Sequence, residues 1–212
     1  MTANEEAIRT TINGLHSITG YIVDLTNTLE QILADYKPAL TPYSQRDPRW
    51  RDYYYTLTAT LGRYGCYITC VAMLASLAGY DDTPPQVAAK LANVGAFKGN
   101  HIGHPEHIAK AYPRLKWIEN IDWRAKPADL SRLKRELETG HVILEVEFLP
   151  GGAIPPTDQH FVLAQNLTPD GCDLHILDPW DGAQTRLLER YALDNWNLAR
   201  AIYGARIFKV GE

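Results

Sequence analysis

Three side chains remote along the chain have the chemistry of a cysteine hydrolase: a thiol at Cys66, an imidazole at His160 and a carboxylate at Asp178. Cys66 sits in Gly62-Arg63-Tyr64-Gly65-Cys66-Tyr67-Ile68-Thr69-Cys70-Val71-Ala72-Met73-Leu74, a glycine-bracketed loop running into an apolar helix. A thiol at such a junction meets unpaired backbone N–H groups and the positive end of the helix dipole, and both favour thiolate over thiol. Taken alone, a cysteine at a helix start is at least as often plain core. The pair downstream adds weight. Folding the chain about Pro169 in the turn Thr168-Pro169-Asp170-Gly171 leaves His160 and Asp178 equally far from the turn, opposite or nearly opposite one another on adjacent strands. Directly paired positions hold Cβ atoms ~5 Å apart, close enough for a carboxylate to hold an imidazole N–H, and a bulge at Gly171 would shift the register by one residue. Read separately, His160 is a surface-strand histidine and Asp178 a turn residue before Pro179; their coincidence with Cys66 favours a site.

The elements that must place these groups show in outline. The helix from Cys66 to about Ala78 stops at Gly79, and Thr83-Pro84-Pro85 opens a second that runs to about Asn93. A short helix is expected from Pro105 to Tyr112, and Pro127-Ala128-Asp129-Leu130 starts another that ends near Gly140. From there the period changes. Strands are predicted at His141 to Leu149, Gln159 to Asn166, Cys172 to Asp178 and Ala201 to Val210. Helices followed by an antiparallel sheet define an α+β domain. The stretch from Pro150 to Asp158 is too long for a tight hairpin; it feeds directly into His160 and is expected to border a substrate groove and to move. Cys70 shares a stripe with Met73 and Leu77 and reads as core. His101, His104 and His107, spaced by three, invite a metal reading, but Gly103 and Pro105 interrupt the helix that would align them and no adjacent cysteine or aspartate completes a set. A polar loop is favoured, and no metal or cofactor is expected.

Ahead of this domain, Ile8, Leu15, Ile18, Ile22, Leu25, Leu29, Ile32 and Tyr36 trace a coiled-coil seam. The alternative is an amphipathic helix packed on its own domain; Gly14 and Gly20 each weaken the helix by ~1 kcal/mol relative to alanine. The narrow stripe favours a homo-oligomer through residues 8–36, with dimer, trimer and helical hairpin all open. Lys37-Pro38-Ala39-Leu40-Thr41-Pro42 breaks the helix twice and reads as a linker. The expected organisation is therefore a helix over 1–36, a linker over 37–42 and a globular domain over 43–212.

Among the 212 residues, 25 acidic and 21 basic side chains are interleaved, which argues against a nucleic-acid partner. No apolar run has the length of a membrane span, and Met1-Thr2-Ala3-Asn4-Glu5-Glu6 lacks the basic end and apolar core of a signal peptide. Cytoplasm by default, or export by another route, is the expectation. Three cysteines in no zinc-type pairing point to reduced thiols.

Gly65-Cys66 with Thr69, the segment Tyr43-Ser44-Gln45-Arg46-Asp47-Pro48-Arg49-Trp50, the strand Gln159-His160-Phe161-Val162-Leu163 and the strand end Asp178-Pro179-Trp180-Asp181-Gly182 occur in an order that resembles the bacteriocin-processing-peptidase-like (double-glycine peptidase-like) branch of papain-like cysteine peptidases, from about Tyr43 to Val210. The resemblance implies a papain-like fold and hydrolysis of a peptide or peptidoglycan-type amide in a bacterium or phage. It makes Cys66 the nucleophile, His160 the general base and acid, Asp178 the group that orients His160, and Gln45 a donor to the oxyanion. Two positions depart from the bacteriocin-processing enzymes, where the glutamine lies a few residues before the cysteine, at the place of Thr60 here, and an acid replaces Gly65. With no transporter or ATPase segment in these residues, specificity for a double-glycine leader does not carry over. Trp180 reads equally as a shield for the histidine–aspartate contact or as a core anchor. The competing functional classes are a catalytically silent papain-fold binding module and an oligomeric structural protein of a virion or cell wall.

Overall fold

The computed structural model describes residues 3–35, 40–147, 160–191 and 197–211. Two units make up the chain, Met1–Pro38 and Ala39–Glu212. The first contains α1 (Ala3–Asp35), on which Leu15, Ile18, Ile22 and Leu25 of the expected seam are all more than half exposed. The side chains of Ile8, Leu29, Ile32 and Tyr36 lie outside those described. No helix among the described residues is long and apolar enough to cross a membrane.

The second unit runs α2 (Leu61–Tyr64), α3 (Cys66–Leu77), α4 (Pro84–Asn93), β1 (Phe97–Lys98), β2 (His101–Ile102), α5 (Ile108–Ala111), β3 (Leu115–Asp122), α6 (Leu130–Thr139), β4 (His141–Val146), β5 (His160–Leu167), β6 (Leu174–Asp178), β7 (Ala183–Arg186), α7 (Leu187–Tyr191), α8 (Leu198–Ala201) and β8 (Ile202–Val210). Strands β3 to β8 form one antiparallel sheet in the order β3-β8-β4-β5-β6-β7, with helices packed against it. This is the α+β class that the change of period predicts. The helix expected from Pro105 to Tyr112 is divided into a 3₁₀ turn, Pro105–His107, and α5. The loop expected to flank the groove, at residues 150–158, lies outside the described residues.

Local chemistry sets the helix starts. The Thr83 N–H donates to Gln86 Oε1 at 2.8 Å, closing a capping box on α4, and the Asp129 carboxylate accepts the Arg132 N–H at 2.9 Å at the head of α6. In α3 every side chain from Tyr67 to Ala75 is buried, so this helix lies within the core rather than along its surface. Alternation along the central strands then divides the interior in two. Ile143, Phe161, Leu163 and Phe208 pack with α3 and α4, whereas Val142, Leu144, Val162 and Ile207 pack with Leu133 of α6 and Leu187 of α7.

Candidate active site

Cys66 is the first residue of α3, partly exposed, with Gly65 as the helix N-cap. Gly65 is required by space: a Cβ there would lie 2.8 Å from Leu61 Cα and closer still to the Leu61 carbonyl oxygen. An acid at this position would have to displace the preceding turn. That contact gives a physical reason for one of the two departures from the bacteriocin-processing enzymes.

His160 opens β5 and Asp178 ends β6. Leu163 pairs with Leu177 and Ala164 with Ile176, and continuing this register puts Val162 opposite Asp178, so His160 and Asp178 are diagonal neighbours on one face. The expectation of a fold about Pro169 is corrected in two compensating steps. Asn166 pairs with His175 and Leu167 with Leu174, so the turn centres between Asp170 and Gly171; that register alone would turn the two side chains to opposite faces. The bulge lies at Gln165, not Gly171, and by absorbing one residue it restores the shared face.

The His160 Nε2 and Asp178 Oδ1 atoms are 2.7 Å apart, in a pair almost without solvent exposure. This leaves Nδ1 for the Cys66 thiol, whose interaction with the ring helps to raise the imidazole pKa. Burial opposes charge on the ring, but the hydrogen bonds to Asp178 and Cys66 outweigh it and lift the His160 pKa to about 9. For Asp178 burial pushes upward, and the hydrogen bonds from His160, the Tyr191 hydroxyl and the Trp180 amide hold the carboxyl below its ordinary range. The Trp180 N–H donates to Oδ1 at 2.8 Å; Tyr191 Oη–H donates to Oδ2, and Arg190 Nε lies 2.8 Å from the same oxygen. Arg190 also forks onto Asp181 at 3.0 and 2.7 Å. Tyr191 and Arg190, at the end of α7, are absent from the sequence-based set. Nothing local marks them, because their partner lies across a hairpin and a helix.

Gln45 is buried, its N–H donating to the Pro179 carbonyl at 2.6 Å and its Nε2 to the Gly62 carbonyl at 3.2 Å. Its backbone is thereby tied to the segment after Asp178 and its side chain to α2, just before Cys66. One Nε2 hydrogen remains as a donor, and Oε1 has no hydrogen-bond partner among the described residues. Trp180 packs edge-on to His160 with centroids 6.2 Å apart, while the Arg46 guanidinium lies 4.4 Å over the indole. Trp180 is partly exposed, so it caps the imidazole and does not anchor a core.

Cys70 is fully buried, its thiol directed to the Phe161 carbonyl at 3.5 Å, and burial pushes its pKa well up. Cys172 is exposed in the turn. Of the three spaced histidines, His104 pairs with Glu106 at 3.1 Å and His107 with the Gly95 carbonyl at 3.0 Å. His101 lines a cavity of about 310 Å³ that opens beside Cys66. Among the described residues no group of three or more histidine, cysteine or acidic side chains suits a metal ion.

A thiol at the head of a buried helix, served by a histidine and an acid from an antiparallel sheet, is the arrangement of the papain-like cysteine peptidases, and the α+β architecture agrees. Within that class the chain belongs to the Peptidase_C39 like family, whose model matches residues 39–203, and it is of cysteine-peptidase type. None of the curated proteins compared with the chain matches it.

Proposed function

We propose that this chain is a cysteine peptidase or amidase that hydrolyses a peptide bond, or a peptidoglycan-type amide, through Cys66, His160 and Asp178, with Gln45 donating to the oxyanion. One observation carries the reading: the imidazole held at 2.7 Å by the buried Asp178 carboxylate is electrostatically coupled to the Cys66 thiol. The thiolate attacks the scissile carbonyl carbon, and the resulting oxyanion accepts hydrogen bonds from the backbone at the head of α3 and from the free Nε2 hydrogen of Gln45. As the C–N bond breaks, His160 gives its Nδ1 proton to the leaving amine and a thioester remains on Cys66. Water, deprotonated by His160, then attacks the thioester and releases the carboxylic acid and the thiolate. Asp178 keeps the ring oriented and its positive charge balanced throughout.

The test is cleavage of a complex peptide digest and of purified cross-linked muropeptides, read as new amino termini by mass spectrometry, with Cys66→Ala as the control. New termini from the wild type alone support the reading; cleavage by both forms, or by neither, contradicts it.

We further propose that α1 joins copies of the chain. The support is the heptad spacing of Leu15, Ile18, Ile22 and Leu25 together with their exposure on a single chain. Deleting residues 1–38 should lower the molar mass measured by light scattering from a multiple of the chain mass to one chain; a mass that remains a multiple would reject the assembly role.

A further inference from the structure

The cavity beside Cys66 carries an electrostatic asymmetry that the peptidase reading leaves unused. Arg63, His101 and Arg206 line it together with Phe97 and Phe161, and none of the described residues lining it is acidic, in a chain whose formal net charge is −4. Arg206 is fixed in place. Its Nη2 lies 2.7 Å from Glu145 Oε2, its guanidinium stands 5.3 Å over the Phe161 ring, and a Cβ on Gly204 would come within 3.0 Å of Nη1. Glu145 is fully buried and shared with a second arginine, Arg124, which also pairs with Asp122 at 3.2 Å, and Arg206 retains N–H donors for a further acceptor. Arg63 is exposed, 5.1 Å from the Tyr64 ring, and makes no ion pair with any described carboxylate.

Resting on the reading of Cys66 and His160 above, we propose that this cavity is a substrate subsite on the acyl side of the scissile bond, selecting a peptide with a side-chain carboxylate at one of the two residues before that bond. The side follows from the chemistry. The leaving amine takes its proton from His160 and so passes over the imidazole and its Trp180 cap, whereas the cavity is lined by Cys66 and by neither His160, Trp180 nor Gln45. The carboxylate meets Arg206 as a preset fork and Arg63 as a cation with no ion pair among the described residues, while Phe97 and Phe161 cover the apolar stem.

The test uses acetyl-Glu-Gly and acetyl-Gly-Glu chloromethyl ketones against their Gln and Lys counterparts; the thiolate displaces chloride from the methylene carbon, and labelling of Cys66 is followed by intact mass. Iodoacetamide, which makes no subsite contact, reports separately on the thiol. At least one Glu probe should react about tenfold faster than its Gln partner, the scale of one charge-assisted hydrogen bond at a partly exposed site, with Lys slowest. Because the Glu-to-Gln ratio is measured within one protein, it remains informative in Arg63→Gln and in Arg206→Lys, where it should fall toward one. Equal Glu and Gln rates, or a preference for Lys, with fast iodoacetamide labelling of Cys66 would overturn the subsite and leave the peptidase reading standing. Iodoacetamide labelling of Cys66 no faster than that of Cys172 would overturn both.

Discussion

At the acid end of the proposed triad every polar position is filled, and at the thiol end almost none is. Asp178 has no exposed surface, and its two oxygens receive the imidazole, a backbone N–H, a phenol and a guanidinium. Cys66 is partly exposed, placed by the backbone contact at Gly65, and open to the cavity. The difference follows the division of labour proposed above. A group that orients gains from being over-determined, since a fully satisfied buried network holds one geometry, whereas a group that attacks must be reachable.

The contrast can be broken most severely at its centre. Asp178→Asn removes the charge that balances the imidazolium and presents the amide N–H₂ to donors on at least one side; hydrolysis of whichever peptide the wild type cuts should fall by about 10²-fold or more. A loss under threefold would mean that the acid end is ornamental.

Titration separates the ends next. His160 rises from an ordinary 6.5 to about 9 on folding, so its stabilising contribution is complete below pH 6.5 and is lost as pH climbs through about 9. Asp178 is lowered from an ordinary 3.8, so its contribution is present above that value and disappears as pH falls through the lowered one. Thermal melts should thus show a plateau between these limits, and His160→Gln should lack the alkaline decline. An unchanged decline in that variant would assign it elsewhere.

At the thiol end, Gly65→Ala forces a Cβ against backbone and should cost about 1–3 kcal/mol in denaturant unfolding, with slower alkylation of Cys66 as the sulfur is displaced. Tyr191→Phe should do least. It removes one of four donors while Arg190 remains on the same oxygen, so turnover should drop only a few-fold and the acid-side loss of stability should move to higher pH. A collapse of activity in this variant would show that the acid end depends on a single contact after all.

Much of this was legible from periodicity and spacing, and the failures have physical causes. The helices expected to open at Thr83-Pro84-Pro85 and at Pro127-Ala128-Asp129-Leu130 do so because Thr83 and Asp129 cap them, and capping is local chemistry. Strand β3 escaped notice. Its burial alternates, but an isoleucine 45% exposed at position 118 followed by the less exposed Glu119 breaks the apolar pattern on this edge strand. The near-symmetry of His160 and Asp178 about Pro169 pointed to two side chains that do meet, but for an incomplete reason, since a displaced turn and a bulge at Gln165 cancel in parity, and neither offset shows in residue types. Tyr191 and Arg190 left no trace because their role exists only once α7 returns to the end of β6. Arg206 did leave one: lone opposite charges inside two apolar strands, Leu144-Glu145-Val146 and Ala205-Arg206-Ile207, are costly unless paired with each other.

The most direct measurement is the rate at which iodoacetamide modifies each of the three cysteines near neutral pH, resolved by peptide mass, in the wild type and in His160→Ala. If one imidazole, held by Asp178, takes the proton from Cys66, that thiol reacts far faster than Cys70 or Cys172 and the advantage fades when the ring is removed. Slow, equal modification of all three, or a Cys66 rate indifferent to residue 160, would contradict the shared proton at the heart of the account.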